Sequence, residues 1–254
     1  LFSLISTNNK LDNNKFEQFV NEKARISFYG DFLYPLAKKS SLEQYLLEAP
    51  EGSFCSELEE CRKQIWNVIS KFNMKLICLS PAEFIHFGTT KELLKLVTED
   101  VSDYEFLDWK KSVSSNCDTQ TYAVHNSFVC DTASISDGSY IEDSYVGENT
   151  IVGNNTILSN VCVSGEKIPS NIVLHGLKLA DGNYVVRVYG INDNPKSMLE
   201  KNGLFISGKL TDILSNNNIK INEIWDNEEH YLWTAKLYPV CCDLLQAVSY
   251  ALIL

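Results

Sequence analysis

Between Ser56 and Phe72 the residues Leu58, Ile65, Trp66, Val68 and Ile69 fall near one face of a helical period. Glutamates come early and a lysine late, as the helix dipole favours, so the pattern predicts a helix. Asp31–Leu36 and Ser41–Leu47 also read as helical, and Thr90–Thr98, with Leu93, Leu94, Leu96 and Val97, predicts a further helix. Arg25–Tyr29 is a short alternating run. Met74–Leu79 is a compact apolar run of strand length, and a buried strand is expected there, leading through Pro81–Gly88 into the Thr90 helix.

From residue 128 the period changes. Apolar pairs recur at Phe128-Val129, Ser134-Ile135, Tyr140-Ile141, Tyr145-Val146, Ile151-Val152 and Ile157-Leu158, with Gly, Asn, Asp and Ser between them. Val146-Gly147-Glu148-Asn149-Thr150-Ile151 is followed directly by Val152-Gly153-Asn154-Asn155-Thr156-Ile157, a tandem hexapeptide repeat. Such a repeat predicts a short left-handed parallel β-helix whose anchors Val129, Ile135, Ile141, Val146, Val152 and Leu158 point inward. Corners need small or left-handed-tolerant residues, here assigned to Gly147, Gly153 and Asn154. Three hexads close a coil, so residues 128–163 supply about two coils, with one irregular corner at the five-residue step from Ile141 to Val146. A turn-rich β meander is the competing pattern. Two coils need covering flanks.

Beyond the repeat, Ile172–Leu179 and Tyr184–Tyr189 alternate around Asp181-Gly182, a hairpin signal. A polar loop at Asn192–Lys196, a helix or turn at Leu210–Leu214 and an aromatic-rich strand over Tyr231–Val240 follow. The expected fold class is α/β followed by β: an α/β region over 1–115, the β-helix over 116–165 and a β-rich C-terminal region over 166–254.

Composition narrows the function. With 44% apolar residues in 254, a core is affordable. The net charge of −11 and the absence of any basic run argue against nucleic acid and anionic membrane. No apolar stretch approaches the roughly 20 residues of a membrane helix, and no signal peptide opens the chain. The 8 cysteines show neither CxxC nor zinc-ligand spacing, which fits idle thiols in a reducing cytoplasm. Apolar residues at both ends, with no initiator methionine, are expected of a piece of a larger protein.

Four segments carry a resemblance. Phe84-Ile85-His86-Phe87-Gly88-Thr89-Thr90, entering a helix ahead of the sixfold repeat, resembles the Trp-x-Asp-x-Gly-Thr turn of sugar-nucleotide pyrophosphorylases. Ile26-Ser27-Phe28-Tyr29-Gly30-Asp31-Phe32-Leu33, the His86 turn, Gly190-Ile191-Asn192-Asp193-Asn194-Pro195-Lys196 and Leu232-Trp233-Thr234-Ala235-Lys236-Leu237-Tyr238-Pro239-Val240 are together similar to the GDP-fucose pyrophosphorylase family. That resemblance implies a nucleotidyltransferase-like α/β segment over 1–115. It also implies a reaction of GTP with β-L-fucose 1-phosphate giving GDP-L-fucose and pyrophosphate, with Mg²⁺ in the complete enzyme. Family members occur alone or fused to an L-fucokinase. The family's glycine-rich nucleotide loop has no counterpart in these residues, so an N-terminal catalytic segment is expected elsewhere and this chain is expected to be inactive alone. His86 stands where relatives place a magnesium-binding aspartate, and a neutral imidazole is a poor magnesium ligand.

The resemblance nominates His86, Gly88, Thr89, Thr90, Asp31, Asp193, Lys196 and Lys236 as substrate-binding residues, with no catalytic residue and no metal ligand. Each has a structural alternative: a buried histidine at 86, helix N-caps at Thr89, Thr90 and Asp31, a polar turn at Asp193 and Lys196, and an ion pair at Lys236. His125 and His175 flank the repeat as surface or core histidines. Two other functions remain open, a hexapeptide-repeat acyltransferase and a non-catalytic interaction module. Acyltransferases of that kind use a coil histidine, and none lies between Phe128 and Val163.

Overall fold

The computed structural model describes residues 2–201, 203–226 and 229–253, which form two compact units divided between Glu83 and Phe84. The first unit opens with a hairpin of β1 (Ser6–Thr7) and β2 (Lys10–Leu11), turned by Asn8 and Asn9 at φ 52° and 57°. Asparagine tolerates that left-handed backbone better than most residues. Helices α1 (Asn13–Phe19), α2 (Leu42–Leu47) and α3 (Ser56–Ile69) follow, with helical turns over Phe28–Leu33 and Tyr34–Leu36. Leu4, Phe19, Ala24, Cys61, Ile65 and Ile69 form the core, so the predicted Ser56 helix is present and presents the expected face.

The expected strand at Met74–Leu79 does not form. Leu76, Ile77 and Leu79 are 86%, 85% and 75% exposed, and the segment enters no sheet of the described residues. An apolar extended run becomes a strand only where a neighbour supplies the ladder, and no described strand does.

The second unit begins with α4 (Thr90–Thr98) and a 3₁₀ run over Asp100–Leu107. After β3 (Ser112–Val113) the chain winds into a parallel β-helix. One coil is β4 (Ala123–His125), β5 (Phe128–Val129) and β6 (Ser134–Ile135). The next is β7 (Tyr140–Glu142), β8 (Tyr145–Val146) and β9 (Ile151–Val152). The third is β10 (Ile157–Ser159), β11 (Cys162–Val163) and β12 (Lys167–Ile168). There are thus three coils, one more than the hexads suggested. Val124 and Ile168 join the inward anchors at either end, while Ile135 is only half-buried at the core's edge.

The five-residue step at Ile141–Val146 is not an irregularity, because it recurs at Val124–Val129 and Leu158–Val163. Ala123 pairs with Tyr140 and Tyr140 with Ile157, a register step of 17 residues. The short side is turned each time by a left-handed residue, Asn126, Asp143 or Asn160, at φ 46°, 46° and 53°. Gly147, Gly153 and Asn154 do not hold the left-handed corners as expected; Gly138, Asn149, Asn155 and Gly165 do. The two glycines answer a different constraint, coil-to-coil contact. A Cβ at Gly147 would lie 2.5 Å from Ser164 Oγ, and one at Gly153 2.6 Å from the Ser170 backbone nitrogen.

The hairpin predicted around Asp181-Gly182 is present as β13 (Ile172–Lys178) and β14 (Tyr184–Gly190), added to the β10 edge of the largest sheet. A small antiparallel pair, β15 (Leu204–Phe205) and β16 (Gly208–Lys209), precedes α5 (Leu210–Asn216) and α6 (Ile221–Ile224). These surround a separate cluster of Leu199, Phe205, Leu210, Leu214, Ile224, Trp225 and Leu232. The last helix, α7 (Leu244–Ala251), packs Ala247, Val248 and Ala251 into the coil core, covering its C-terminal end. Tyr231–Val240 is not a strand: a 3₁₀ turn at Leu232–Thr234 leads into irregular extended chain.

The fully buried Leu158 should cost about 2–5 kcal/mol when cut to alanine, by loss of transfer energy and the cavity left behind. Gly176→Ala should cost about 1–3 kcal/mol, since its Cβ would sit 2.0 Å from the Asn160 carbonyl oxygen. Urea unfolding measures both. A Gly176→Ala protein as stable as the parent would mean that the Asn160 corner retreats freely, against the stacking described.

Candidate functional site

The strand register writes three rows across the six-stranded sheet. Val124, Ile141, Leu158 and Leu174 point into the coil core. On the opposite face, Leu94 of α4 packs with Ala123, Tyr140, Ile157 and Val173, with Tyr189 at the margin. Beside that apolar row runs a polar one on the same face: His125, Glu142, Ser159, His175 and Arg187 are successive register partners on β4, β7, β10, β13 and β14.

The polar row is charged unevenly. Glu142 accepts from Ser159 Oγ at 2.7 Å and from Tyr140 OH at 2.8 Å, so both carboxylate oxygens are engaged. His125 bridges Tyr140 OH and the Lys110 carbonyl at 3.1 and 3.0 Å. At the other end Arg187 Nη2 donates to His175 Nδ1 at 2.7 Å. Accepting at Nδ1 makes His175 the neutral tautomer with its proton on Nε2. Burial, then the Arg187 charge, hold the His175 pKa below its ordinary value, which agrees with that tautomer.

Three of the four family-like segments meet at β14. Tyr189 is followed directly by Gly190–Lys196. Tyr238, from the Leu232–Val240 segment, donates to the Val188 carbonyl at 2.7 Å. Thr90, closing the His86 turn, lies beside the Tyr189 phenol; burial raises the Tyr189 pKa while Arg187 and then Thr90 oppose the rise. The Arg187 guanidinium carbon lies 5.9 Å from the Tyr189 ring centre. Arg187, His175, Tyr189 and Tyr238 were not nominated from sequence. The hairpin register contained the signal, since Lys178 opposite Tyr184 puts His175 opposite Arg187.

The nominated residues fare differently. His86 is exposed, which removes the buried-histidine alternative. Thr89 is the N-cap of α4 in a capping box: Glu92 N donates to Thr89 Oγ1, and the Glu92 carboxylate accepts from Thr89 N at 3.0 Å and Gly88 N at 2.8 Å. Asp31, in the first unit, is not a helix N-cap; Ser27 fills that role. The Asp31 carboxylate is buried, taking Arg62 Nε at 2.6 Å and Ser27 N at 2.6 Å, while Arg62 Nη1 donates to the Glu48 carbonyl and Tyr45 OH to the Asp31 carbonyl. Asp193 accepts from Gly190 N and Ile206 N, fixing the turn after β14. Lys196 is exposed in that turn. Lys236, no longer on a strand, makes an exposed ion pair with Asp226 at 2.5 Å. Among the described residues no three His, Cys, Asp or Glu side chains gather to hold a metal ion, and no helix is long and apolar enough to cross a membrane.

Two outcomes follow. Asp31→Ala should destabilise the protein by about 3–5 kcal/mol, because it strands the buried Arg62 guanidinium; denaturant titration of the variant measures this, and a loss under about 1 kcal/mol would show that water reaches Arg62. Glu92 should titrate below its ordinary 4.5, chiefly through the Gly88 amide and then Thr89. Since the folded carboxyl is the stronger acid, its capping contribution is complete above the unfolded pKa and lost as pH falls through the folded one. Carboxyl ¹³C titration reads the midpoint, and a value at or above 4.5 contradicts the capping box.

Comparison with known proteins is consistent with this arrangement of segments. A family model described as the fucose pyrophosphorylase domain matches residues 2–243. The fucose-1-phosphate guanylyltransferase of Homo sapiens is 26% identical over 256 residues, covering 92% of this chain and 41% of that protein. The bifunctional fucokinase/GDP-fucose pyrophosphorylase of Arabidopsis thaliana is 27% identical over 240 residues, covering 88% of this chain and 22% of that protein. The Mus musculus fucose-1-phosphate guanylyltransferase is 26% identical over 244 residues, 89% of this chain and 41% of its own. The chain spans less than half the length of each relative. No solved structure matches it significantly. With nearly its whole length matched by one family model, the chain belongs to the fucose pyrophosphorylase family.

Proposed function

We propose that this chain is the C-terminal part of a fucose-1-phosphate guanylyltransferase, which joins GTP and β-L-fucose 1-phosphate into GDP-L-fucose with release of pyrophosphate. The observation that carries this is the family match over residues 2–243. In such a reaction a phosphate oxygen of the sugar phosphate attacks the α-phosphorus of GTP, the bond to the β-phosphate oxygen breaks, and pyrophosphate leaves. Negative charge gathers along that line, so cationic donors must stand near it.

These residues contain no glycine-rich phosphate loop, so the triphosphate is to be held by chain outside them. No three potential metal-ligating side chains gather among the described residues, and no step is routed here through magnesium. The share proposed for this chain is the sugar-phosphate side, at the face where the His86 turn, the turn after β14 and the Tyr238 segment meet. The argument against an acyltransferase from missing coil histidines no longer holds, because the coils include His125 and the added hairpin His175. It is disfavoured instead by the family match.

The complete natural protein should release pyrophosphate from GTP only with fucose 1-phosphate present, and the 254-residue chain alone should not. Within the complete protein, His86→Ala should lower kcat/KM for fucose 1-phosphate by about 1–3 kcal/mol, with GTP affinity nearly unchanged. Coupled pyrophosphate assays decide both points. Activity of the isolated chain would overturn its assignment as an incomplete catalyst, and a defect confined to GTP would put the turn on the nucleotide side.

A further inference from the structure

Arg187 is an anomaly of charge. The chain carries −11, yet among the described residues this arginine has no carboxylate partner. Arg25 has Glu22 at 3.8 Å and Arg62 has Asp31 at 2.6 Å. Glu142, in the same row, is engaged by two hydroxyls, and Asp193, in the turn after β14, by two backbone amides. Of its three nitrogens only Nη2 makes a hydrogen bond, and that goes to a histidine rather than an acid. Its Nε is the one enclosed side-chain nitrogen or oxygen of the described residues without a partner. A buried donor left unpaired costs about 1–3 kcal/mol, so it calls for a function or a ligand.

The neighbours make the pair a binding surface for one kind of group. His175 accepts at Nδ1, so its Nε2 is a donor, and that donor has no partner among the described residues. Tyr189 backs the guanidinium on one side and itself packs against the cluster that holds Leu94 of α4. Arg187 Nε and Nη1 carry N–H groups that no acceptor among the described residues fills. A planar guanidinium with unfilled N–H groups matches tetrahedral oxyanions in geometry as well as charge.

We propose that Arg187 binds a phosphate dianion on the outer face of the β-helix sheet, with His175 orienting its guanidinium through Nδ1. Resting on the function proposed above, that dianion is the phosphate of the sugar 1-phosphate. An uncharged sugar lacks the group recognised and does not bind here.

Calorimetry and histidine-selective ¹⁵N NMR on the full chain test this with inorganic phosphate, fucose 1-phosphate, GTP and free fucose as probes. Inorganic phosphate and fucose 1-phosphate should shift the His175 ring signals, and free fucose should not. Arg187→Gln should weaken phosphate binding by about tenfold or more, and Arg187→Lys, which keeps the charge without the fork, by less. His175→Gln should weaken it by a smaller factor than Arg187→Gln, through the lost orientation of the guanidinium. Thermal unfolding of each variant guards against misfolding, and Arg187→Lys with the unmodified chain's NMR titration carries the test if Arg187→Gln does not fold. Unmoved His175 signals at saturating phosphate, or a folded Arg187→Gln chain that binds phosphate as the parent does, overturn the site. A response to inorganic phosphate and GTP but not to fucose 1-phosphate supports the anion site and overturns its assignment to the sugar phosphate.

Discussion

In-register stacking of 16- and 17-residue coils is the constraint on which the second unit depends. One anchor per short strand can be buried only if every coil returns to the same register. That return needs a left-handed corner at the same place in each coil, which Asn126, Asp143 and Asn160 provide. It also brings neighbouring coils so close that Gly147, Gly153 and Gly176 have no room for a Cβ. Backbone chemistry at the corners and apolar burial at the strands are thus one requirement seen from two sides.

The same register arranges the outer face, of which α4 buries one row. Strand alternation puts every second residue outward, so one outward row meets α4 and stays apolar while the next lies free of it and is polar. A row of register partners on five strands then sets Glu142 and Arg187 on one line with Ser159 and His175 between them. Within the row Ser159 is hydrogen-bonded to Glu142 and Arg187 to His175, so the cation is oriented by a neighbour whose position the strand register sets.

Much of this was legible. The hexads betrayed the β-helix because its period is written in residues that point inward, and the hairpin followed from Asp181-Gly182. The extra coil was missed because its strands lie outside the tandem hexads: Ala123–His125 precedes residue 128 and Lys167–Ile168 follows residue 163. Met74–Leu79 misled because an apolar run records what a strand would bury, not whether a partner strand is near. Asp31 misled for a related reason. Its neighbours look like a helix start, but its partner, Arg62, is 31 positions away, a distance at which local pattern carries no information. The candidate site was half legible: the family-like segments named the turns, and the cation between them emerged only when the hairpin was folded.

The His86 turn shows why that cation matters. A strand-to-helix turn offers free backbone amides to an anion, and on sequence alone this one is a phosphate cradle. In the folded chain its own Glu92 occupies the Gly88 and Thr89 amides. A carboxylate tethered three residues away is always present and pays little entropy to bind, so a free phosphate must displace it or find other donors. Arg187, oriented by His175, is such a donor, and α4 packs through Leu94 into the cluster that Tyr189 joins. The capping box then has a positioning role: it satisfies the start of α4 internally, and α4 packs through Leu94 into the cluster that Tyr189, the backing of the guanidinium, joins. Helix start and phosphate site are joined by packing rather than by a shared anion, which leaves the charge recognition to side chains whose geometry the β-helix register sets.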